Sequence, residues 1–472
     1  MTSTPPAAPS ARLSLHTILA FACLSIPATP IVLIMSVYMP RFYAGHIGVG
    51  LAAIGAAFTV VRLIDIGFDP VIGLIMDRTR TPIGHYRPWV IAATPVLMFA
   101  IAKVFSPPGG VGVGYMVLWL VVLYAGQSMF TLGQASWGAV LTPDYHQRSR
   151  TYGWMQAVGV AATVAFLLLP LFTHGQIQLG KHASMGTVGW LLILALPASL
   201  AVALLLTPEP RAARLAARGL SLGDFAEAIA RPEMRRIVLA DLTLTLGPGT
   251  TAPIFLFFFH DAKGFSVAAA SSLLVFYIAA GLVGSPGWAA IARRLGKHRT
   301  VQVATVCYAI AQLTVMALPR GAYAVTAVGM FAVGFSASAF VPLVRAMVAD
   351  VADLIRLEAS KDLTGVLYAM VTTTPKVGAA LAVGVIFPIL AAVGYKAADG
   401  AVNTPHAIWG LEMCYLFAPS AFVLTGGAMF FGYRLDARRH AEVRSALEQR
   451  EAMIDEGAAL ESLAGPTAAP GR

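Results

Sequence analysis

The sequence predicts an all-α membrane protein with twelve transmembrane helices in two halves of six. Of its 472 residues, 57% are hydrophobic and only 12% are charged, with a mean hydropathy of +0.73, whereas soluble domains carry about 25% charged residues. A bilayer core about 30 Å thick requires about 20 apolar residues per helix. Runs that meet this requirement lie at 13–39, 46–76, 88–106, 112–140, 151–173, 187–206, 236–260, 267–292, 300–318, 322–348, 364–393 and 407–433.

The longest break between these runs is the basic, proline-flanked segment 207–235. It predicts a linker between the halves, with a short surface helix after Ser221. The loops 73–88 and 284–300 both place Gly before paired basic residues, which supports a repeat of the six-span unit. The predicted organisation is an N-terminal segment, two halves, the linker between them and a solvated helical tail, at 1–12, 13–206, 236–433, 207–235 and 434–472.

The positive charges of the chain indicate its topology. The net charge is +10, yet only six Lys and Arg fall on one set of connections, and two others, Arg62 and Lys376, lie deep within spans. By the positive-inside rule, the basic-rich set of connections and both termini are cytoplasmic, in a multi-pass protein of the cell (inner) membrane. The basicity therefore indicates no nucleic-acid partner. The six exceptions are Arg41, Lys103, Lys181, Lys263, Arg320 and Lys396.

The second span carries the stretch "RLIDIGFDP", with ionisable residues at helical spacing. Arg62, Asp65 and Asp69 share one helix face, and the two aspartate Cβ atoms are expected about 5–6 Å apart. Two carboxylates this close in a low dielectric repel, so one holds a proton or both share a cation. Ionisable groups at bilayer depth are expensive and usually functional. The stretch predicts a site for H⁺ or Na⁺; a permanently paired structural network is the alternative.

The eleventh span places Lys376 about a dozen residues inside "LYAMVTTTPKVGAAL". We expect it to pair with Asp65 and Asp69 and to move when a cation or solute binds. In the seventh span, "LGPGTT" predicts a break in the helix.

The fourth span carries a polar stripe. Gln127, Thr131 and Gln134 recur at spacings of four and three, so they face protein or water rather than lipid. Trp137 follows one turn later and is expected to offer a stacking surface for a ligand. Polar contacts that only join helices are the alternative for each of these residues.

With these residues in view, the chain resembles the glycoside–pentoside–hexuronide:cation symporters, the melibiose-permease branch of the major facilitator superfamily. The resemblance rests on "RLIDIGFDPVIGLIMDRTRTPIGHYRPW", "LTPDYHQRSR", "ARRLGKHRT", "VADVADL" and "TTTPKVGAAL". It implies the major facilitator fold, alternating access and cation-coupled sugar uptake. It further implies that Asp65 and Asp69 are the paired cation-site carboxylates, Lys376 the helix-eleven lysine, and Thr131 the helix-four hydroxyl near the cation.

The chain departs from the family pattern at the cation and sugar sites. Phe68 replaces an asparagine whose amide oxygen would bind Na⁺, so we expect H⁺ coupling, with Na⁺ at Asp65 and Asp69 as the alternative. The first span contains no acid, Gln134 replaces the helix-four sugar aspartate, and Trp154 and Gln156 lie where the helix-five arginine is missing. These changes remove the charge-assisted grip on sugar hydroxyls.

From these residues we expect a midplane substrate cavity and a cytoplasmic gate. The cavity combines residues of both halves, so a bound solute is sensed by both as they rock. The gate holds the cytoplasmic side closed through salt bridges. The cavity residues are Gln134, Trp137, Trp154, Gln156 and Thr372. The gate residues are Asp77, Arg78, Arg80, Arg293, Arg294 and Arg299.

The function that fits best is symport of a sugar-like small solute. Proton-driven export, or transport of an amphipathic or lipid-like solute, is the main alternative; a membrane scaffold or membrane enzyme is more remote. The sequence contains no HExxH, GxSxG or Walker A motif. Cys23, Cys307 and Cys414 lie singly within spans, so no disulfide, metal or cofactor is expected. The expected partners are the solute and the bilayer; the sequence indicates no protein partner.

Overall fold

The computed structural model describes residues 13–141, 145–173, 182–209, 222–359, 361 and 363–464. Within these ranges twelve helical spans are long and apolar enough to cross a membrane, which confirms the predicted fold class. The spans are Leu15–Ile47, Leu51–Met76, Arg87–Phe105, Val113–Leu141, Arg150–Leu169, Ser184–Leu206, Pro232–Ala262, Val267–Leu295, Lys297–Ala317, Tyr323–Ala359, Thr364–Ala392 and Pro405–Ala428.

Several spans differ from a single regular helix. The tenth is broken into Tyr323–Ala337 and Phe340–Ala359. Two helices lie outside the spans: Leu222–Ala230 in the linker and Ala437–Ala464 in the tail. The N-terminal segment 1–12, residues 210–221 of the linker and the end of the tail lie outside the described residues. The first span consists of Leu15–Ala22, Ser25–Leu33, Met39–Phe42 and the π-helical segments Ile34–Tyr38 and Tyr43–Ile47. Four other helices have bounds that differ from those of the spans they form. They are Leu51–Arg78, Tyr145–Phe172, His182–Leu206 and Pro232–Phe257, and the π-helical segment Phe258–Ala262 follows the last of them.

The predicted break in the seventh span is wrong, because the helix Pro232–Phe257 continues through Gly247, Pro248 and Gly249. The glycines serve packing instead. A β-carbon on Gly247 would overlap Val423 of the twelfth span, and one on Gly249 would lie 3.2 Å from Ala382 Cβ of the eleventh. The missing side chains let three helices approach closely, as small residues do between membrane helices.

The two halves meet along the second and eleventh spans, which run antiparallel. Because the number of spans is even, both chain ends lie on one face of the bundle, here called the terminal face; the opposite one is the distal face. Toward the distal face a β-carbon on Gly55 would lie 3.1 Å from Phe387 Cβ, and Thr59 donates to the carbonyl of Ala380 at 3.1 Å. Toward the terminal face a β-carbon on Gly73 or Gly365 would meet nothing within 4 Å. The helices are in contact distally and separate terminally.

Further contacts close the distal face. Asp399, between the last two spans, donates its backbone N–H to the carbonyl of Gly45 at 3.3 Å and pairs with His46. Arg41 donates to the carbonyl of Leu256 at 3.1 Å. Each contact joins the first span to the second half of the chain. In the described part of the chain, these contacts close the distal side between the first span and the second half.

At the terminal face, the ion pairs and hydrogen bonds of the described residues stay within one half or join it to the linker or the tail. Glu209 accepts the backbone N–H groups of 85–87, which closes the loop after the second span. Lys297 Nζ lies 2.6 Å from Asp350 Oδ1, and His440 of the tail lies 3.4 Å from the same oxygen. Among the described residues no ion pair on this face joins the two halves. The structure is therefore closed distally and open toward the terminal face.

Candidate functional site

The deep charges of the two halves meet where the second and eleventh spans begin to separate. Lys376 Nζ lies 2.7 Å from Asp69 Oδ2 and 3.2 Å from Asp65 Oδ2. The i, i+4 spacing puts both carboxylates on one face of the helix, and the ammonium sits between them. The lysine ammonium thus occupies the position between the two carboxylates where the sequence predicts a shared cation.

Asp65 is the carboxylate of this cluster whose oxygens both have polar partners. It is only 2% exposed, and Ser128 Oγ donates to its Oδ1 at 3.0 Å. Its Oδ2 contacts Lys376 and lies 3.8 Å from Arg62 Nη1. One hydroxyl and two cations fully offset the desolvation cost of burying a carboxylate. Asp65 therefore anchors the cluster.

Asp69 is the accessible member. Its side chain is 32% exposed, and Lys376 is its ion-pair partner among the described residues. Its Oδ1 is buried without a hydrogen-bond partner. Asp69 therefore has fewer polar partners than Asp65 and the more exposed side chain of the two acids.

Arg62 brings the net charge of the cluster to zero and lies on its distal side. Its guanidinium carbon lies 4.1 Å from the centroid of the Tyr124 ring, a cation–π contact. Both residues line a cavity of about 60 Å³ between the halves, whose walls come from five spans. With Arg62, Lys376, Asp65 and Asp69 ionised, the four charges sum to zero. One added proton therefore leaves the cluster positive.

The hydroxyl beside the carboxylates belongs to Ser128, not Thr131. Thr131 Oγ1 donates to the carbonyl of Gln127 in its own helix at 2.8 Å, whereas Ser128 contacts Asp65 and lies 3.4 Å from Lys376 Nζ. Ser128 was not among the site residues predicted from the sequence. A hydroxyl near the middle of the fourth span, at the depth of Asp65, was the available signal.

Trp137 does not offer a stacking surface, which corrects the prediction for this residue. Its side chain is 0% exposed, its ring packs edge-on against Phe21, and its Nε1–H donates to the carbonyl of Pro208 at 3.2 Å. The guanidinium of Arg87 covers the indole at 5.1 Å. The indole thus fixes the start of the linker to the end of the fourth span.

The polar stripe of the fourth span mainly joins helices. Gln134 is 4% exposed and donates to Ser25 Oγ at 3.0 Å, and Gln127 donates to the carbonyl of Ala28 at 3.0 Å. Both bonds hold the fourth span to the first. Gln134 therefore lines no open cavity in this conformation, contrary to the predicted role.

The other predicted substrate residues are exposed. Trp154 is 38% exposed, Gln156 and Thr372 are also exposed, and Thr372 donates to the carbonyl of its own helix at Ala369. The structure does not bring these three into contact with the charged cluster. Their role in substrate binding stays a prediction.

The predicted cytoplasmic gate forms no ionic closure here. Its five arginines are exposed and, in the described part of the chain, enter no ion pair with the other half; the Asp77 side chain lies outside the described residues. The physical reason is the conformation, because the halves are apart on this face. The exposed arginines are Arg78, Arg80, Arg293, Arg294 and Arg299.

Ser128 and Thr131 can be separated by mutation. We expect Ser128→Ala to weaken concentrative transport several-fold, because Asp65 Oδ1 then loses its donor; an unsatisfied buried group costs about 1–3 kcal/mol. Thr131→Val is the matched control, since its hydroxyl bonds only its own helix. Initial rates and steady-state accumulation in vesicles provide the measurement. The assignment fails if Thr131→Val is the impaired variant and Ser128→Ala is normal.

Comparison with known proteins identifies the class. The family model described as MFS/sugar transport protein matches residues 20–437. The isoprimeverose transporter of Lactiplantibacillus pentosus is 25% identical over 89% of this chain and 88% of its own. The glucuronide carrier protein homolog of Escherichia coli is 22% identical over 88% of this chain and 92% of its own. A solved mutant of the nucleoside transporter NupG shares the fold, with TM-score 0.69 and 13% identity over 88% of this chain and 99% of that one.

Proposed function

Since the chain belongs to the MFS/sugar transport protein family, as one of its glycoside–pentoside–hexuronide:cation symporters, we propose that it takes up an uncharged sugar or glycoside together with protons. It is a multi-pass membrane transporter and not an enzyme. The coupling ion, the direction of transport and the class of solute form the proposal. Alternating access between the halves is the mechanism.

One observation carries the proposal: Lys376 of the second half bridges Asp65 and Asp69 of the first. A proton on Asp69 would neutralise the carboxylate and leave the ammonium paired with Asp65 alone. The cross-half contact then weakens, and the equilibrium between the outward- and inward-open conformations shifts. A ligand shifts such an equilibrium only by its different affinity for the two states, and this ion pair supplies that difference.

A proton fits the cluster better than Na⁺. Na⁺ would need several oxygen ligands at the place where the Lys376 ammonium lies, and Phe68 contributes none. A proton needs only the free Oδ1 of Asp69. Protonation leaves the lysine in place, whereas sodium would have to displace it.

The positive-inside rule assigns the terminal face to the cytoplasm of the cell (inner) membrane. On that assignment the conformation is inward-open, with the distal contacts of Arg41, His46 and Asp399 as the closed outer gate. Asp69 then exchanges its proton with the cytoplasm in this state. The salt bridges expected of Asp77 and the five arginines belong to the outward-open state, in which the terminal face closes.

An uncharged solute suits the site because both deep cations are engaged. Arg62 contacts Asp65 and Tyr124, and Lys376 contacts both carboxylates. An anionic sugar would compete with the carboxylates for one of these cations. The relatives bear names of both kinds, an isoprimeverose transporter and a glucuronide carrier homolog, so the solute test includes both.

The function is tested by accumulation in right-side-out membrane vesicles. Isoprimeverose, simple xylosides, glucosides and galactosides, and a glucuronide are offered with an inward proton gradient and no sodium. We expect at least one uncharged compound to accumulate above its external concentration, and a protonophore to abolish the accumulation. Accumulation that requires Na⁺ and survives the protonophore, or a preference for the glucuronide, contradicts the proposal.

The sidedness of the conformation gives a separate prediction. In a background with the three native cysteines replaced, Gly73→Cys should react with a membrane-impermeant thiol reagent from the terminal side. Gly73 follows Asp69 by one turn, and nothing lies within 4 Å of its β-carbon position. Ser36→Cys, in the cavity beside Arg62 on the distal side of the cluster, should be protected in the resting protein. Labelling of Ser36→Cys together with protection of Gly73→Cys would show that the resting state is outward-open.

A further inference from the structure

A third acid lies at membrane depth and takes no part in the cluster described above. Asp241, in the seventh span, is 5% exposed. Its Oδ2 is buried without a hydrogen-bond partner, and no ion pair found in the described ranges includes it. Isolated acids within a membrane are expensive and mark proton or ion pathways.

Asp241 lies at the depth of Asp69, on the other side of the eleventh span. It is the tenth residue of the helix Pro232–Phe257, and the hydroxyl of Thr374 faces its carboxyl. Thr374 precedes Lys376 by two residues, so the two side chains leave the helix on nearly opposite sides. The eleventh span therefore separates the Asp65–Asp69 pair from Asp241.

The hydrogen bonds around Asp241 favour a proton on its carboxyl. Thr374 Oγ1 donates its single hydrogen to the carbonyl of Met370 at 2.9 Å, so this hydroxyl has only acceptor capacity left. Asp241 Oδ2 has no hydrogen-bond donor among the described residues. An ionised carboxylate with an orphan oxygen would cost several kcal/mol in this setting.

Arg345 is the charged residue whose field acts on Asp241. It lies on the terminal half of the broken tenth span, and its side chain is exposed. The twelfth span packs against the seventh span, because a β-carbon on Gly426 would overlap Thr243 and Leu244. The break at 338–339 gives the segment that carries Arg345 a hinge.

We propose that Asp241 is a second proton-binding site, in the C-terminal half, so that each cycle carries one proton more than the Asp65–Asp69 pair alone provides. The site holds its proton as a carboxylic acid while the seventh and eleventh spans are packed together. It releases the proton to water at the terminal face when the tenth span moves and Arg345 pairs with the carboxylate. The inference rests on the proposed function, because it assumes proton coupling.

The experiment measures protons moved per solute in proteoliposomes of the full chain. This ratio is independent of how much protein folds. We expect Asp241→Asn to move one proton fewer per solute than wild type, and Asp241→Glu to restore the wild-type ratio. At a gradient of one pH unit, one lost proton lowers steady-state accumulation about tenfold.

The outcomes separate the two proposals. A wild-type ratio in Asp241→Asn makes Asp241 a purely structural acid and overturns the inference while leaving proton symport intact. Wild-type protein that moves no protons with solute overturns the proposed function itself. If Asp241→Asn does not fold, Arg345→Gln replaces it. This variant should exchange solute but transport net solute at least several-fold more slowly, and normal net transport would contradict the site.

Discussion

Asp69→Asn transports its solute down a concentration gradient and loses the part of the accumulation that the Asp69 proton drives. The amide cannot take up and release the coupling proton, so the cross-half contact of Lys376 no longer responds to the proton gradient. Lys376 keeps Asp65 as a partner at 3.2 Å, and Asp65 keeps Ser128. The fold therefore survives the change, while accumulation at a gradient of one pH unit falls about tenfold.

Asp65→Asn loses accumulation as well, with an additional loss of stability. Asp65 holds Ser128, Lys376 and Arg62 together. Breaking a buried ion pair on one side costs about 3–5 kcal/mol, so this variant should also show a lower thermal unfolding temperature than Asp69→Asn. Glu442→Gln, which changes an exposed acid of the tail, is the control. Full gradient-driven accumulation by both aspartate variants would contradict the cation site.

Lys376→Gln should reduce concentrative transport at least tenfold. Without the ammonium, Asp65 and Asp69 face each other one turn apart, and Arg62, 3.8 Å from Asp65, cannot neutralise both. One carboxylate then retains a proton at neutral pH, because two like charges so close cannot both ionise. The coupling site stays occupied in both conformations and no longer follows the gradient.

The double variant Lys376→Gln with Asp69→Asn tests the pairing directly. Residues in contact give non-additive effects, so removing both partners should restore stability relative to Lys376→Gln without restoring accumulation. Lys361→Gln, which breaks an exposed pair with Glu227, is the matched control. Normal accumulation by Lys376→Gln, or strictly additive losses in the double variant, would show that Lys376 is not the partner of these acids.

The sequence was sufficient for the spans and for the composition of the charged cluster. Apolar run length follows from bilayer thickness, and the helical period places Arg62, Asp65 and Asp69 on one face. Lys376 could be named as a partner because few other ionisable residues lie so deep. These predictions depend on local spacing and on the cost of burying charge.

Features that depend on how helices are rotated against one another were not predictable. Ser128 and Thr131 are three residues apart, and only the packing of the fourth span decides which hydroxyl meets Asp65. Trp137 was assigned to a cavity, but Pro208 of the linker covers it. Which face is closed depends on the conformation of the protein. The same sequence adopts every conformation of the transport cycle, so local sequence patterns do not predict the closed face. The continuous helix through Gly247 likewise reflects contacts with Val423.

The central claim is that Asp69 couples solute uptake to protons. The direct measurement follows external pH in weakly buffered, sodium-free proteoliposomes when a transported solute is added outside. With wild-type protein, the medium should become alkaline as solute enters. With Asp69→Asn we expect solute to enter with one proton fewer per solute, and therefore with a smaller rise in external pH. Solute entry that leaves the pH unchanged with wild-type protein, and that requires added Na⁺, would contradict it.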